Sequence, residues 1–146
     1  MTTASKLVAA FGMAAVAYWV TGVAIPYLPE TFYPRGVFGP NIFMGWVLGW
    51  TIMGRDIKPG WAGRINVTAT TASLLYVTCV YIHAFRLMIK YARRVRYSDG
   101  TEAVADTFSL AFEIGFAVAT PEVLLSLFGG TLFVAVFVQL AARRWR

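Results

Sequence analysis

The stretch Ile65–Phe85, INVTATTASLLYVTCVYIHAF, decides the fold of this chain, because it has no acidic or basic residue over 21 positions apart from one histidine. A helix of about 20 apolar residues is long enough to cross the hydrocarbon core of a bilayer. Water is absent from that core, so the backbone groups of the segment must bond to one another. The stretch is therefore predicted to be a membrane-spanning helix.

Three other stretches have the same apolar character and a similar length. They are Leu7–Ile25, Val37–Gly54 and Val123–Ala142. Hydrophobic residues make up 58% of the 146 positions, and a soluble domain of this size would expose too much apolar surface to water. One bundle uses up the chain, so we predict a single domain over residues 1–146, an all-α integral membrane protein with four transmembrane helices.

Small residues at helical spacing predict where these helices approach one another. Gly45 and Gly49 are four positions apart on one helix face, and Ala10, Ala14 and Ala17 form a stripe of small residues on the first span. Small side chains let two backbones come close within a membrane. We therefore predict that these five residues are helix-packing positions, within this chain or against a partner.

The second stretch, Val37–Gly54, is the shortest of the four. Pro40 and Asn41 favour the start of a helix rather than its middle. A helix from Asn41 to Gly54 would be about 21 Å long at 1.5 Å per residue, which is less than a hydrocarbon core of about 30 Å. A thin or re-entrant span is therefore an alternative to a full crossing.

The segment Thr101–Val118 combines a narrow acidic stripe with a broad apolar surface. Its polar residues recur every three or four positions, at Glu102, Asp106, Ser109 and Glu113. This pattern is typical of an amphipathic helix that lies in the membrane interface or docks on the bundle. A fifth crossing would bury Asp106 and Glu113 at about 2–3 kcal/mol each. We therefore expect a helix parallel to the membrane, with its acids facing water or the preceding arginines.

The formal net charge of +6 is concentrated at the ends of the apolar stretches. Basic residues there favour anionic lipid headgroups, each by about 1 kcal/mol near the surface. They form no separate basic domain, so we do not expect nucleic acid as a partner. The aromatic and basic residues predicted to be interfacial anchors are Trp61, Arg93, Arg94, Arg96, Arg143, Arg144 and Trp145.

The basic residues give little information on orientation. With four crossings, the side that holds both termini carries seven Lys and Arg residues and the opposite side carries six. The positive-inside rule counts these residues on short loops, so it favours cytoplasmic termini only slightly. The first 24 residues resemble a signal peptide in part, but Tyr18 and Trp19 within a long apolar run favour a retained membrane anchor.

The apolar stretches offer few side chains for chemistry. Cys79 and His83 are four positions apart, but zinc needs three or four ligands and the chain has no other cysteine or histidine. His83 is a weak candidate for an axial ligand to haem or chlorophyll; the alternative is an interfacial histidine bonded to water or to a neighbour. Cys79 and His83 could form a pair of nucleophile and base, but no third group to orient them is evident in the sequence. We predict no catalytic residue, no metal site and no cofactor.

Five short motifs occur in an order that is fairly specific. They are Thr3–Ala10, Pro26–Glu30, Gly45–Trp50 followed by Met53-Gly54, Ala119–Leu124, and Ala142–Arg146. Together they resemble the TrgA family of small bacterial membrane proteins, and the similarity covers essentially the whole chain. The resemblance implies a multi-pass protein of the bacterial inner membrane, cytoplasmic or intracytoplasmic, that is associated with tellurite resistance. It brings no catalytic motif with it.

Two functions from different classes follow from these observations. The first is a non-catalytic stress-resistance protein that acts on an oxyanion or on the physiology of the envelope. The second is an accessory structural subunit that docks by its small-residue and aromatic faces on a larger respiratory or photosynthetic complex. The expected partners are therefore the bilayer, including its anionic lipids, and a membrane protein or a second copy of the chain.

Overall fold

The computed structural model describes residues 3–28, 30, 36–94 and 96–144, and these residues form helices joined by short turns, with no strand among them. The helices are α1 (Thr3–Ala24), α2 (Phe38–Leu48), α3 (Gly54–Asp56), α4 (Trp61–Ala92), α5 (Gly100–Val118) and α6 (Pro121–Arg144). A 3₁₀ turn, Ile25–Tyr27, follows α1, and a π-helical segment, Gly49–Met53, joins α2 to α3. The all-α prediction is confirmed for the described residues.

Three helices are long and apolar enough to cross a membrane. They are Thr3–Tyr27, which includes the 3₁₀ turn, Trp61–Ala92 and Pro121–Arg144. They match three of the four predicted spans, and the multi-pass membrane character of the chain rests on them. Helix α4 has 32 residues, which is about 48 Å at 1.5 Å per residue. It is therefore longer than the bilayer core, and its end extends beyond the predicted boundary at Phe85.

The second predicted stretch is helical but divided, since the π-helical segment separates α2 from α3. The divided segment nevertheless runs antiparallel along most of α1. Gly45 lies against Met13 and Ala17, whereas Gly54, further along, lies against Lys6 near the start of α1. The wider π turn lies in the middle of this contact, where Gly49 meets the α1 backbone.

The main core lies between α1, α2, α4 and α6. Helix α1 is central, because α2 packs against it on one side and α6 on another. The buried apolar residues of this core include Met13, Val16, Leu75, Leu127, Val134, Ala135 and Val138. A second, smaller cluster joins α4 to α5 and contains Ala84, Leu87, Leu110 and Ile114.

Helix α5 is present where the amphipathic helix was predicted, but its direction differs from the expectation. The hydroxyl of Tyr76 donates to the carbonyl of Gly115 at 2.5 Å, and the rings of Tyr81 and Phe108 are 6.0 Å apart. Contacts further along α4 therefore fall earlier along α5, so the two helices are antiparallel. Because α5 buries Leu110 and Ile114 on α4, it follows the axis of α4 and does not lie across it, as a membrane-parallel helix would.

Most of the predicted interfacial loop, namely residues 29 and 31–35, lies outside the described residues. The same is true of Trp145, one of the predicted anchors. The far end of the loop is described from Gly36, whose carbonyl oxygen accepts a hydrogen bond from the Arg86 guanidinium on α4. This bond ties the residue just before α2 to α4.

Candidate functional site

The site begins with His83, the single histidine of the chain. Helix α4 places it on the buried side of the bundle, with only 4% of its surface exposed. Its Nε2 atom lies 2.8 Å from Oδ1 of Asn41 on α2. His83 is therefore bonded to a neighbour, one of the two kinds of partner that the sequence analysis left open, and it is buried within the bundle.

Asn41 extends this contact into a chain of hydrogen bonds. Its Nδ2 atom donates to Oγ1 of Thr21 at 2.9 Å, and the Thr21 hydroxyl donates to the carbonyl of Ala17 at 2.6 Å. Because the amide nitrogen of Asn41 faces Thr21, its oxygen is left to accept from His83 Nε2. Asn41 and Thr21 are 9% and 3% exposed. This buried polar chain, Thr21–Asn41–His83, connects α1, α2 and α4.

A small cavity adjoins the buried polar chain. Its volume is about 70 Å³, and its walls are mainly apolar side chains of α1, α2, α4, α5 and α6. Tyr76 and Cys79 are further polar groups in the lining. An engineered cavity that accepts benzene measures about 150 Å³, so this cavity is too small for a macrocycle. Axial ligation by His83 through Nε2 would require α2 to move away, since Asn41 occupies that side.

Cys79 lines the same cavity and is half-buried. Cys79 and His83 thus lie near each other, as their spacing predicts. Within the described part of the chain, no three residues among His, Cys, Asp and Glu are grouped closely enough to hold a metal ion. The arrangement can bind helices together and can hold a very small apolar molecule or a few waters.

The predicted packing glycines lie at the contact between α1 and α2. A Cβ atom on Gly45 would lie 2.5 Å from the carbonyl oxygen of Met13, and one on Gly49 would lie 2.9 Å from Cα of Ala10. Real Cβ atoms do not approach backbone atoms so closely. Ala10 and Ala17 are buried in the same region, and Ala14 is half-buried.

The described members of the predicted anchor set lie on the surface. The guanidinium of Arg64 stacks 5.2 Å from the ring of Trp61, and Arg96 lies 4.5 Å from the ring of Tyr91. The other described anchors are exposed: Arg93, Arg94, Arg143 and Arg144. They belong to opposite ends of the bundle and do not come together with His83.

One polar contact was missed from the sequence. Gln139 on α6 donates from Nε2 to the carbonyl of Lys58 at 3.0 Å, and it is 5% exposed. An amide within an apolar span was a usable signal, since such a residue needs a partner. The hydroxyls of Thr68, Thr71 and Thr131 are buried and have no hydrogen-bond partner among the described residues, although threonines in helices often bond the carbonyl one turn back.

Comparison with known proteins adds nothing to this geometry, because the chain matches no protein-family model, no curated protein and no solved structure.

Proposed function

We propose that the chain crosses the bacterial inner membrane four times, with the α2–α3 segment as the fourth crossing. The support is its course along most of α1, from Gly45 beside Ala17 to Gly54 beside Lys6. On α4, Arg86 lies 22 positions after Arg64, a rise of about 33 Å, which is close to a hydrocarbon core of about 30 Å. These two arginines would then mark the two boundaries.

The position of α5 follows from this placement. Its acidic residues Glu102 and Glu113 are exposed, while the neighbouring Phe108, Phe112 and Phe116 form an exposed aromatic stripe. A helix of this kind suits the boundary between lipid and water. The start of α5 therefore suits that boundary, and from there the helix runs antiparallel along α4 to the level of Tyr76, whose hydroxyl bonds the Gly115 carbonyl.

Within this arrangement we propose a non-catalytic role. The single observation that carries it is the buried polar chain, in which Nε2 of the only histidine is bonded to Asn41 and the amide of Asn41 is bonded to Thr21. These groups connect three helices, which is a packing function. The physiological context that the TrgA resemblance implies is tellurite resistance, and we propose that the protein contributes to it as a membrane component rather than as a reductase.

The test is tellurite survival in a strain that lacks the protein and is complemented with Cys79→Ser or His83→Gln. Glutamine can still donate a hydrogen bond to Asn41, and serine keeps the volume of the side chain nearly unchanged. We expect each variant to restore survival to the level of the unaltered chain. Loss of survival with unchanged protein level and membrane insertion would identify the Cys79–His83 pair as a reactive site and would end the non-catalytic proposal.

A second candidate function is an accessory subunit of a larger membrane complex. The observation that favours it is a groove of about 580 Å³ between α1 and α6. Its lining includes Gly12, Ala15, Trp19, Gly129 and Phe133. Small residues let a helix approach closely in a membrane, so we propose a transmembrane helix of the partner as the occupant.

This candidate is tested by purification in mild detergent. We expect co-migration with a large complex for the unaltered chain and its loss in Gly129→Leu, which fills the groove. The matched control is Gly22→Leu, because a Cβ atom at either glycine meets no atom within 4 Å in the part of the chain that the structure describes. If both variants co-migrate equally, or if only lipid is recovered with the unaltered chain, the groove is not a docking site for a helix.

A further inference from the structure

The acidic residues of α5 differ in their distance from the turn that joins α4 to α5. Glu102 and Asp106 lie in the first half of the helix. They accept hydrogen bonds within the turn, Glu102 from the Ser98 hydroxyl and Asp106 from the Tyr97 hydroxyl. Glu113 lies 11 positions after Glu102, about 16 Å further along the helix axis. It is therefore the acid of α5 that is furthest from the turn.

Contacts with α4 give the depth of Glu113 in the four-crossing arrangement proposed above. Gly115 accepts a hydrogen bond from the Tyr76 hydroxyl, and a Cβ atom on it would lie 3.6 Å from Cγ1 of Val80. Tyr76 and Val80 precede the boundary residue Arg86 by ten and six positions, about 15 and 9 Å of helix. Glu113 precedes Gly115 by two residues on an antiparallel helix, which brings it at most about 3 Å nearer the boundary. Its backbone therefore lies about 6–12 Å inside the hydrocarbon core.

The side chain of Glu113 is exposed at this depth. In the part of the chain that the structure describes, it forms neither an ion pair nor a hydrogen bond. Ionisable residues within a membrane are rare and costly, and they almost always face a polar partner or a water-filled space. An exposed glutamate below the membrane boundary therefore marks a surface that another polar group covers.

The surface around Glu113 is aromatic. The rings of Phe112 and Phe116 stack with their centroids 6.3 Å apart, and the two side chains are 65% and 78% exposed. Phe116 lies three positions after Glu113, so the two residues are neighbours on the helix surface. A cation that binds the carboxyl would lie beside an aromatic ring, and the face of such a ring attracts cations. This surface is therefore complementary to a positively charged group.

A second copy of the chain does not supply that group. Lysine and arginine are absent from the apolar stretches and from the sequence of α5, namely residues 7–25, 37–54, 65–85, 101–118 and 123–142. A symmetric pair would therefore bring Glu113 only to acidic or uncharged side chains at its own depth. The complementary group belongs to a different chain.

We propose that the face of α5 formed by Phe112, Glu113 and Phe116 binds a transmembrane helix of a different protein, through a lysine or arginine at the depth of Glu113. Opposite charges attract more strongly in a medium of low polarity than in water. Pairing therefore offsets the cost of holding each charge within the membrane. This inference rests on the proposed four-crossing arrangement. It gives the accessory-subunit candidate a second contact surface besides the groove between α1 and α6.

The test uses a defined probe, a polyleucine transmembrane peptide with one lysine about six residues inside its apolar stretch, at a depth of about 9 Å. The comparison peptide has leucine at that position. The full chain and each peptide are labelled with fluorophores at their amino termini and reconstituted in phosphatidylcholine vesicles, where energy transfer measures binding. We expect the lysine peptide to bind about tenfold more tightly than the leucine peptide. We expect Glu113→Gln to abolish this preference.

The matched control is Glu102→Gln, which removes one acid from the same helix near the turn. Glutamine retains an oxygen that can accept from Ser98, so we expect the turn and the preference for the lysine peptide to be kept. Equal binding of the two peptides to the unaltered chain would overturn the proposal. A preference that survives in Glu113→Gln, or an equal loss in both variants, would do the same.

A measurement of depth separates this inference from the membrane placement. Glu113→Cys and Glu102→Cys are each made with Cys79→Ser, reconstituted in lipid nanodiscs and treated with a membrane-impermeant maleimide. We expect labelling of Glu113→Cys to be at least about tenfold slower, because its position lies within the core. Equally rapid labelling would overturn the inference together with the placement of α5. Slow labelling without a preference for the lysine peptide would overturn the inference alone.

Discussion

Helix α1 packs against α2 on one side and against α6 on another, and the two contacts differ in how closely the helices approach. On the α2 side, Gly45 and Gly49 both face α1, and a Cβ atom on either would overlap its backbone. On the α6 side, Gly130 lies against Val16, but Gly129 faces open space and lines the groove. The first contact is sealed, whereas the second leaves a groove of about 580 Å³.

The spacing of the glycines explains this difference. Residues four apart lie on one face of a helix, so Gly45 and Gly49 can both meet the same neighbour. Adjacent residues are turned by about 100° from each other, so only one member of the Gly129–Gly130 pair can face α1. The number of glycines in a span therefore does not predict a close contact, but their spacing does.

The largest effect is expected from the double substitution Gly45→Leu/Gly49→Leu. Each leucine would place side-chain atoms inside the backbone of α1, and overpacking of this kind typically costs about 1–3 kcal/mol per site. We expect the helices to separate and the purified protein to aggregate or to unfold at low temperature. Thermal unfolding in detergent, followed by circular dichroism and size-exclusion chromatography, measures this.

The control for that experiment is Gly22→Leu/Gly39→Leu. It also replaces two glycines by leucine, one on α1 and one on α2, but a Cβ atom at either position meets none of the described residues within 4 Å. We expect its unfolding temperature to stay near that of the unaltered chain. Equal destabilisation of the two double variants would show that close approach is not what Gly45 and Gly49 provide.

The sealed contact could be predicted in part from the sequence. The glycine spacing marks a close approach by helix geometry alone, and of the four apolar stretches predicted to be spans, three form helices long and apolar enough to cross a membrane. The helix that the glycines contact could not be predicted, because Gly45 meets Met13 only when each helix is rotated about its axis by a particular angle. The hydrogen bond between His83 and Asn41 was missed for the same reason, since the two residues are 42 positions apart.

The direction of α5 shows a different limit. The acidic stripe at Glu102, Asp106 and Glu113 correctly predicts a helix with a polar face. It does not distinguish a helix flat on the membrane from one docked along α4, because both arrangements leave that face exposed. The buried side of α5 determines which arrangement forms, because Leu110 and Ile114 pack on Ala84 and Leu87. A stripe of polar residues therefore defines the exposed face but not the axis.

An intermediate effect is expected from Asn41→Leu, which removes the middle of the buried polar chain at the sealed contact. His83 Nε2 loses its acceptor and the Thr21 hydroxyl loses its donor. Interhelical hydrogen bonds in membranes average about 0.6 kcal/mol, and an unsatisfied buried group costs about 1–3 kcal/mol. We expect a destabilisation of about 2 kcal/mol, measured by denaturant unfolding in mixed micelles.

The comparison for that variant is Asn66→Leu, which removes an exposed asparagine near the start of α4. We expect it to change the free energy of unfolding little. The free energy of unfolding of His83→Gln should lie between those of Asn41→Leu and Asn66→Leu. Glutamine retains a donor for Asn41 but fills less of the space beside the cavity. If Asn41→Leu were as stable as Asn66→Leu, the polar chain would contribute nothing to the sealed contact.

The smallest effect is expected from Gly129→Leu at the open contact. The new side chain would extend into the groove rather than into α1, because no described residue lies within 4 Å of a Cβ atom at that position. Leucine is also a better helix former than glycine, by up to about 1 kcal/mol. We expect an unfolding temperature equal to or slightly above that of the unaltered chain. The same change at Gly130 should be destabilising, since its Cβ atom would lie 3.2 Å from Val16. If Gly129→Leu were as damaging as Gly45→Leu/Gly49→Leu, the groove would be closed in solution, and the two sides of α1 would be equally sealed.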